Sequence, residues 1–527
     1  MSFKNKRILL LCKETYSYPL YFLAEKWKED NTVAAFFFMP AECMYNKCYL
    51  NESTYYRFLD MKNIDLYDVK DIARTFSDNM NSPKVDKNYM SYVEKTYCHF
   101  KKLNMQLMSS QFTTNYYHDR SYYSDFTYEQ QMYWLQLNYK RVIDIFEEFK
   151  PDVIIDLDDA ELPRTIINEV AYAQNIPYIT FEHPRYEQHK YPTFNMGIGI
   201  DDYFRTIYEN CYNSSNEALV EEINYVNNFR SQISIMPQEF RNTITAQYKR
   251  DPIVKTIKTL IGKIIYFWDQ DIFSGNRGLK IKNKILYPDS LKYVLFYFKV
   301  ELLKHKLLGK NKYFSDPVEG ERYVYMPLHL IPESTTFVKA PLFVNEQFVI
   351  EEISKSLPIG WYLYVKEHQS MLGERSVQFY RTISKLPNVK VVSINYYDDP
   401  KPWILKAEGV ITITGSSAYE TAMLGKKALV FGEVPFSLIE GITKVNSLED
   451  LPKMISNFGT IENIKSCAAY IAAVKEAGRE IKLRYLLTEG ENIFLRNAVV
   501  SEAYLKQMDI LESFFYDAYA RYESIIE

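Results

Sequence analysis

Lys366, Glu367 and His368 close the apolar run "YLYV" in the stretch Tyr362–Arg375, "YLYVKEHQSMLGER". An ammonium and an imidazole two positions apart at a strand end make a donor pair for an anion; taken alone they are packing detail. Two other stretches supply possible companions. "YVYMPLHLIPESTT" follows an apolar run with His329 and Glu333, and "GVITITGSSAYETAMLGKK" follows another with Thr414, Gly415, Ser416 and Ser417. Gly415 permits a tight turn there. The serines can offer hydroxyls and backbone N–H groups to a phosphate where a helix begins. The bland reading of the same turn is helix N-capping by serine. The turn matches neither glycine-rich phosphate signature, G-x-x-x-x-G-K-[ST] or G-x-G-x-x-G. Glu420, one turn into that helix, can accept from a ribose hydroxyl or support the cap.

These residues meet only if the strands that carry them share a sheet edge. The second half of the chain alternates strand and helix patterns: "RYVYMPL", "NEQFVIEEISKSL", "WYLYVKEH", "VQFYRTISKL", "VKVVS", "PKPWILKAE", "GVITIT", "SAYETAMLG" and "KALVFG". Such alternation predicts a parallel sheet with crossover helices, in which the carboxyl ends of the strands lie on one edge. The first half reads the same way through "RILLLC", "LYFLAEKWKED", "TVAAFFFM", "PDVIIDLDD", "LPRTIINEVAYAQN" and "IPYITFE". The prediction is an α/β chain of two Rossmann-like domains facing a cleft, with helical insertions in the N-terminal half and helices closing the C-terminus. The boundaries are residues 1–318, with insertions at about 50–149 and 205–318, and residues 319–527 for the nucleotide-binding unit.

The first unit must supply the other wall of the cleft. Its strand ends carry Asp156, Asp158 and Asp159 in "DLDDAELPR", then Glu182, His183 and Arg185 in "TFEHPRYEQH". Asp158 and His183 are the candidate general bases for an acceptor hydroxyl, and Glu182 and Arg185 stand beside them. The D-x-D look of Asp156 and Asp158 would suit a metal; the motif is short and common, and no metal site is expected.

Composition bounds the function. Charged residues at 25% and hydrophobic residues at 47% are those of a soluble globular protein. The 46 Tyr and 32 Phe exceed what a core needs, and suit either sugar-stacking surfaces or an AT-rich genome. The six cysteines, Cys12, Cys43, Cys48, Cys98, Cys211 and Cys467, form no zinc or C-x-x-C pattern, so reduced thiols in a cytoplasmic protein are expected. No stretch reads as a signal peptide or a membrane span. Residues 249–312 carry fifteen Lys/Arg against five Asp/Glu, interleaved with large apolar groups. That suits the surface of an anionic membrane, or a solvated basic face on an ordinary insertion. No nucleic-acid motif accompanies the charge.

"MPLHLIPESTT", "YVKEHQSMLGER" and "GVITITGSSAYETAMLGKKALVFG", in that order, resemble the motifs of the capsule polysaccharide biosynthesis proteins, which include bacterial Kdo and other nonulosonic acid transferases. The resemblance covers residues 322–435 well and residues 1–200 loosely. It implies a metal-independent GT-B glycosyltransferase, retaining if it follows the family's retaining Kdo members, that uses a nucleotide-sugar donor, CMP-linked in the best understood relatives, and no further cofactor. The acceptor would be a glycan or a lipid-linked glycan, and the basic segment 249–312 would hold the cytoplasmic enzyme near it, peripheral to the inner face of the membrane. By motif position, His368, Ser416 and Ser417 would bind the donor phosphate, with Lys366, Thr414, Gly415 and Glu420 alongside, and Glu333 would be the carboxylate nucleophile. Gln369 replaces the family's Pro, Ile331 its frequent Gln, Lys427 its frequent Pro, and Thr421 separates Glu420 from Ala422. The alternatives are a nucleotide-sugar epimerase or hydrolase of the same architecture, and a non-catalytic glycan-binding assembly factor.

Overall fold

The computed structural model describes residues 3–38, 52–107, 126–159, 161–236, 290–308, 313–331, 334–394 and 396–526, with a few positions between 254 and 261. Most of the basic segment 249–312 lies outside the described residues, as does Glu333. Among the described residues, no helix is long and apolar enough to cross a membrane.

Two sheets of seven strands organise the chain. The first holds β1 (Arg7–Cys12), β2 (Thr32–Phe37), β3 (Ile64–Asp68), β4 (Val153–Ile155), β5 (Tyr178–Glu182) and β6 (His189–Thr193). The second holds β7 (Phe314–Ser315), β8 (Arg322–Pro327), β9 (Trp361–Lys366), β10 (Val389–Val392), β11 (Gly409–Thr412), β12 (Ala428–Val430) and β13 (Ile442–Lys444). A last short strand, β14 (Arg479–Glu480), returns to the first sheet. The spatial orders are β14-β6-β5-β4-β1-β2-β3 and β13-β12-β11-β8-β9-β10-β7. All pairs are parallel except those of β6 with β5 and with β14. Ile8, Leu9, Leu10 and Leu11 are wholly buried, as an unbroken apolar run requires when helices cover both faces of a sheet. The architecture is the expected one of two α/β units, each built on a seven-stranded sheet.

Strand order explains how distant motifs converge. β8 lies between β9 and β11, so the three strands that end in the candidate residues are neighbours. Pro327 pairs with Lys366 across β8 and β9, and Tyr325 with Val410 across β8 and β11. The carboxyl edges of these three strands therefore form one continuous ledge.

The expected division between residues 318 and 319 needs correcting, because the chain crosses between units elsewhere. Phe204, Tyr208 and Val226 lie in the expected N-terminal insertion but share an apolar core with Tyr419 and Tyr470 of the second unit. Conversely, Leu486, Phe494, Tyr504, Leu511 and Phe515, expected to belong to the second unit, pack into the core of the first sheet. The last helix, Glu502–Ile526, is held on the first unit by the buried Trp27, whose indole N–H donates to Glu512 and Tyr516 at 3.1 and 2.9 Å. At the return crossing, Gly478 presses on β6 so closely that a Cβ would sit 2.2 Å from the Lys190 carbonyl oxygen. Many tyrosines serve these cores: Tyr18, Tyr139, Tyr178, Tyr191, Tyr364, Tyr380, Tyr470 and Tyr504 are among the largest fully buried side chains.

Candidate functional site

The ledge opens into a cavity of about 350 Å³ whose wall includes Lys366, His368, Thr414, Gly415, Ser416, Ser417 and Glu420. Every residue expected around a phosphate from the second unit therefore lies in one wall. Arg185 reaches the same cavity from the first unit, from a backbone with φ +70°, a strained conformation for a residue with a side chain. The Thr414 hydroxyl oxygen is buried without a hydrogen-bond partner, in a residue 2% exposed, and the Ser417 hydroxyl oxygen is likewise unpartnered. A buried hydroxyl left unpaired costs stability, about 1–3 kcal/mol, unless a ligand completes it. Serine capping does not explain the turn. Ser416 makes no cap hydrogen bond, and its hydroxyl instead donates to Glu420 at 3.3 Å. Gly415 matters for room: its φ is negative, and a Cβ there would meet Thr412 Oγ1 at 2.5 Å.

Electrostatics in this cavity follow from burial. Burial pushes the Lys366 ammonium down to about 8, against the pull of Glu420, Asp399 and Asp398. Burial likewise pushes the Glu420 carboxyl up to about 6, with the Ser416 hydroxyl and Arg185 opposing and Asp399 assisting. His368 Nδ1 accepts the Ser370 N–H at 3.2 Å, which leaves the proton of a neutral ring on Nε2 as a donor.

Beneath the ledge runs a buried ionic network that explains the rest of "KEHQSMLGER". The Glu367 carboxylate is taken by Arg375 at 2.9 Å and by the Tyr380 hydroxyl at 2.6 Å. Arg375 also pairs with Glu346 at 2.5 Å and donates to the His329 carbonyl at 2.6 Å. His329 Nε2 accepts the Thr414 N–H at 3.3 Å, so its Nδ1 donates to Glu346 at 3.2 Å. Although burial pushes the Glu346 carboxyl up, Arg375 and His329 outweigh it and hold it below its usual range. His329 is thus a brace between two strand ends. Lys366, Glu367 and His368 all line the cavity, and the Glu367 carboxylate is committed to the network beneath it.

A second cavity of about 190 Å³ adjoins the first, with Arg185 and Thr414 in both walls. Asp158, Asp159, Glu182 and His183 come to it from the first unit, and Lys339 and Phe436 from the second. Asp156 is absent from both walls. Its carboxylate is buried against Arg164 at 2.6 and 2.8 Å and the Tyr178 hydroxyl at 2.5 Å, so of the D-x-D pair Asp156 serves the fold and only Asp158 faces a cavity. Asp158 accepts from Arg164 at 3.0 Å. Burial, with Lys190, Arg185 and Lys339, holds the His183 imidazole well below its usual range, and hence neutral. The group poised to titrate near neutrality is Asp159. Burial pushes its carboxyl up to about 7, Lys339 opposes, and Asp158 and Glu182 assist. Asp201 is also pushed up to about 7 by burial, but it lines neither cavity. Among the described residues, no cluster of His, Cys, Asp and Glu has the makings of a metal site.

Lys339 and Glu182 pair at 2.6 Å, each side chain 4% exposed, and join the two units beside this cavity. Gly197, at φ +65°, makes room for them: a Cβ there would lie 2.3 Å from Glu182 Oε2 and 2.7 Å from Lys339 Nζ. Gly197→Ala is therefore expected to strain the backbone and displace the ends of a buried ion pair, costing about 1–3 kcal/mol. A thermal melt checks this, with Gly320→Ala as control, since its Cβ would meet nothing within 4 Å.

Glu333, the carboxylate that the resemblance puts in the nucleophile's position, lies outside the described residues. Sequence reading named Asp159 without a role and missed Lys339. The one signal for Asp159 was its place at a strand end beside another aspartate.

No known family matches the sequence, and no curated protein matches it. Among solved structures, Thermosulfurimonas dismutans KpsC, a beta Kdo 2,7 transferase, is 11% identical, with 63% of this chain and 79% of that one covered and a TM-score of 0.28. The UDP-GlcNAc 2-epimerase of Methanocaldococcus jannaschii is 13% identical, with 89% and 99% covered and a TM-score of 0.22. The glycotransferase of kitacinnamycin is 11% identical, with 92% and 99% covered and a TM-score of 0.25. Superpositions this loose leave the functional assignment to the chemistry of the cavities.

Proposed function

We propose that this chain is a glycosyltransferase that takes a sugar from a nucleotide donor. What supports the reading is the pair of adjoining cavities, one walled by unpartnered hydroxyls and cations, the other by a carboxyl poised to exchange a proton. The donor phosphate occupies the larger cavity, accepting from Thr414, Ser417, Lys366 and His368. Arg185 and Thr414, common to both walls, direct the sugar toward the smaller one. Asp159 removes the proton of the acceptor hydroxyl as its oxygen bonds to the anomeric carbon. The carbon–phosphate oxygen bond breaks, and its electron pair leaves on the phosphate. A fixed donor at that oxygen stabilises the transition state by about 3–4 kcal/mol.

The finer reading is a CMP-linked, Kdo-like nonulosonic acid as donor, and as acceptor a glycan or glycolipid of a surface polysaccharide at the inner membrane face. Glu333 takes the nucleophile's role if configuration is retained. A thermal-shift panel of CMP, UDP and GDP, free and sugar-linked, tests this. Stabilisation by CMP compounds, together with sugar transfer to an acceptor, is the expected result. Stabilisation by UDP alone, with sugar interconversion and no acceptor, would make the chain an epimerase. Indifference to all of them would leave a glycan-binding scaffold.

A further inference from the structure

The loop after β5 is delivered by one unit and held by the other. Phe181, near the end of β5, packs into the core of the first unit, and Tyr186, beyond it, is buried in the core of the second. Between them the Pro184 carbonyl accepts the hydroxyl of Tyr470 at 2.9 Å. Tyr470 is fully buried on the helix Ile464–Ala477 of the second unit. Its ring lies 6.1 Å from that of Tyr419, on the helix Ser417–Met423 that leaves the phosphate turn. Lys475, farther along the helix of Tyr470, sits 6.0 Å over the Tyr186 ring. Arg185 stands between these fastenings, so the second unit fixes it although a strand of the first delivers it.

Position and charge give Arg185 a task on the donor side, whereas the sequence sets it beside the acceptor bases. Its exposed side chain stands in the walls of both cavities, and its charge acts on Glu420, next to the phosphate turn. A guanidinium offers a planar fork of N–H donors that matches two oxygens of one phosphate, which the compact ammonium of Lys366 cannot do. The φ of +70° at Arg185 is strained for a residue with a side chain, and glycine adopts it freely. An arginine kept at a position that favours glycine is kept for its side chain.

We propose that Arg185 grips the donor phosphate at the junction of the two cavities, and that Tyr470 is the positioning residue that holds it there. This rests on the nucleotide reading above. The test is calorimetric titration of the full chain with CMP and with UDP, alongside thermal melts, for wild type, Arg185→Ala, Arg185→Gly, Tyr470→Phe and the double variant Arg185→Ala with Tyr470→Phe. Either substitution of Arg185 is expected to weaken the nucleotide that wild type binds by about tenfold to a hundredfold. Arg185→Gly releases the backbone strain and is expected to melt no lower than wild type, so its loss of affinity is not a weakened fold. Tyr470→Phe is expected to weaken binding by about threefold to tenfold, and to add nothing where Arg185 is already alanine. Tyr208→Phe loses another buried hydroxyl bond, to Ser466 of the same helix at 2.8 Å, and is expected to leave affinity unchanged. Wild-type affinity in Arg185→Gly would overturn the assignment of Arg185. A Tyr470→Phe loss that is missing, that persists in full without the guanidinium, or that Tyr208→Phe shares would overturn the positioning role. Failure of wild type to bind either nucleotide would overturn the nucleotide reading itself, and this inference with it.

Discussion

Asp159→Asn is expected to lose transfer by about 10²–10⁴-fold while binding nucleotide as wild type does. Asparagine keeps the shape and cannot take a proton. The pH dependence gives the sharper signature. Asp159 works deprotonated, so below about 7 wild-type kcat/KM should fall roughly tenfold per pH unit. Lys366 holds the phosphate only when protonated, so activity should fall again above about 8. Asp159→Asn should lose the acid limb and keep the alkaline one. The sign of the stability effect separates catalysis from folding. A carboxyl raised from its ordinary 3.8 to about 7 binds its proton more tightly in the folded chain. Its burial therefore costs nothing below pH 3.8 and progressively more as the pH climbs to 7. The melting temperature of the variant, relative to wild type, should rise across that window. An acid limb that persists in Asp159→Asn would show that another group is the base.

Thr414→Val combined with Ser417→Ala should move stability and binding in opposite directions. The two oxygens removed are buried and unpartnered in the ligand-free chain, so their loss relieves a penalty of about 1–3 kcal/mol for each group fully desolvated. The double variant should melt no lower than wild type. Bound to a phosphate, the same hydroxyls would each contribute a charge-assisted hydrogen bond of about 1.5–3 kcal/mol, so nucleotide affinity should drop about 10²–10⁴-fold. Calorimetry of binding and of unfolding on the same samples reads both signs. Lowered stability with unchanged affinity would mean that these hydroxyls serve the fold and not a ligand.

Most of the framework was legible because parallel strands buried on both faces are written as β-branched and aromatic runs, as in "RILLLC", "VII" and "WYLYV". β3, β6 and the short β7, β13 and β14 were missed. "IDLYD" sits in a tyrosine-rich stretch that reads as helical, and "HKYPT" carries polar groups and a proline on a strand that pairs antiparallel near the sheet's edge. The phosphate-side residues were legible for a topological reason: polar groups at the ends of neighbouring parallel strands fall together whatever their separation in sequence. Asp159 was not, because its titration is set by its own burial together with Lys339 from the other unit, Asp158 beside it, Glu182 on β5 and Arg164. Nor was Gly197, whose importance lies in the two side chains that a methyl group would displace.

The two crossings of the chain have a mechanical consequence. One leads from β6 to the helix Asp202–Asn213, and the other passes through Gly478 between the helix Ile464–Ala477 and β14. Two connectors running in opposite senses along one seam act as the pins of a door. With the units tied at both crossings and by the Lys339–Glu182 pair, Asp159 and Thr414 are held in register across the seam. The last helix, clasped to Trp27, rides with the jaw that carries Asp159. A label fixed to Tyr519 on that helix would therefore track that jaw.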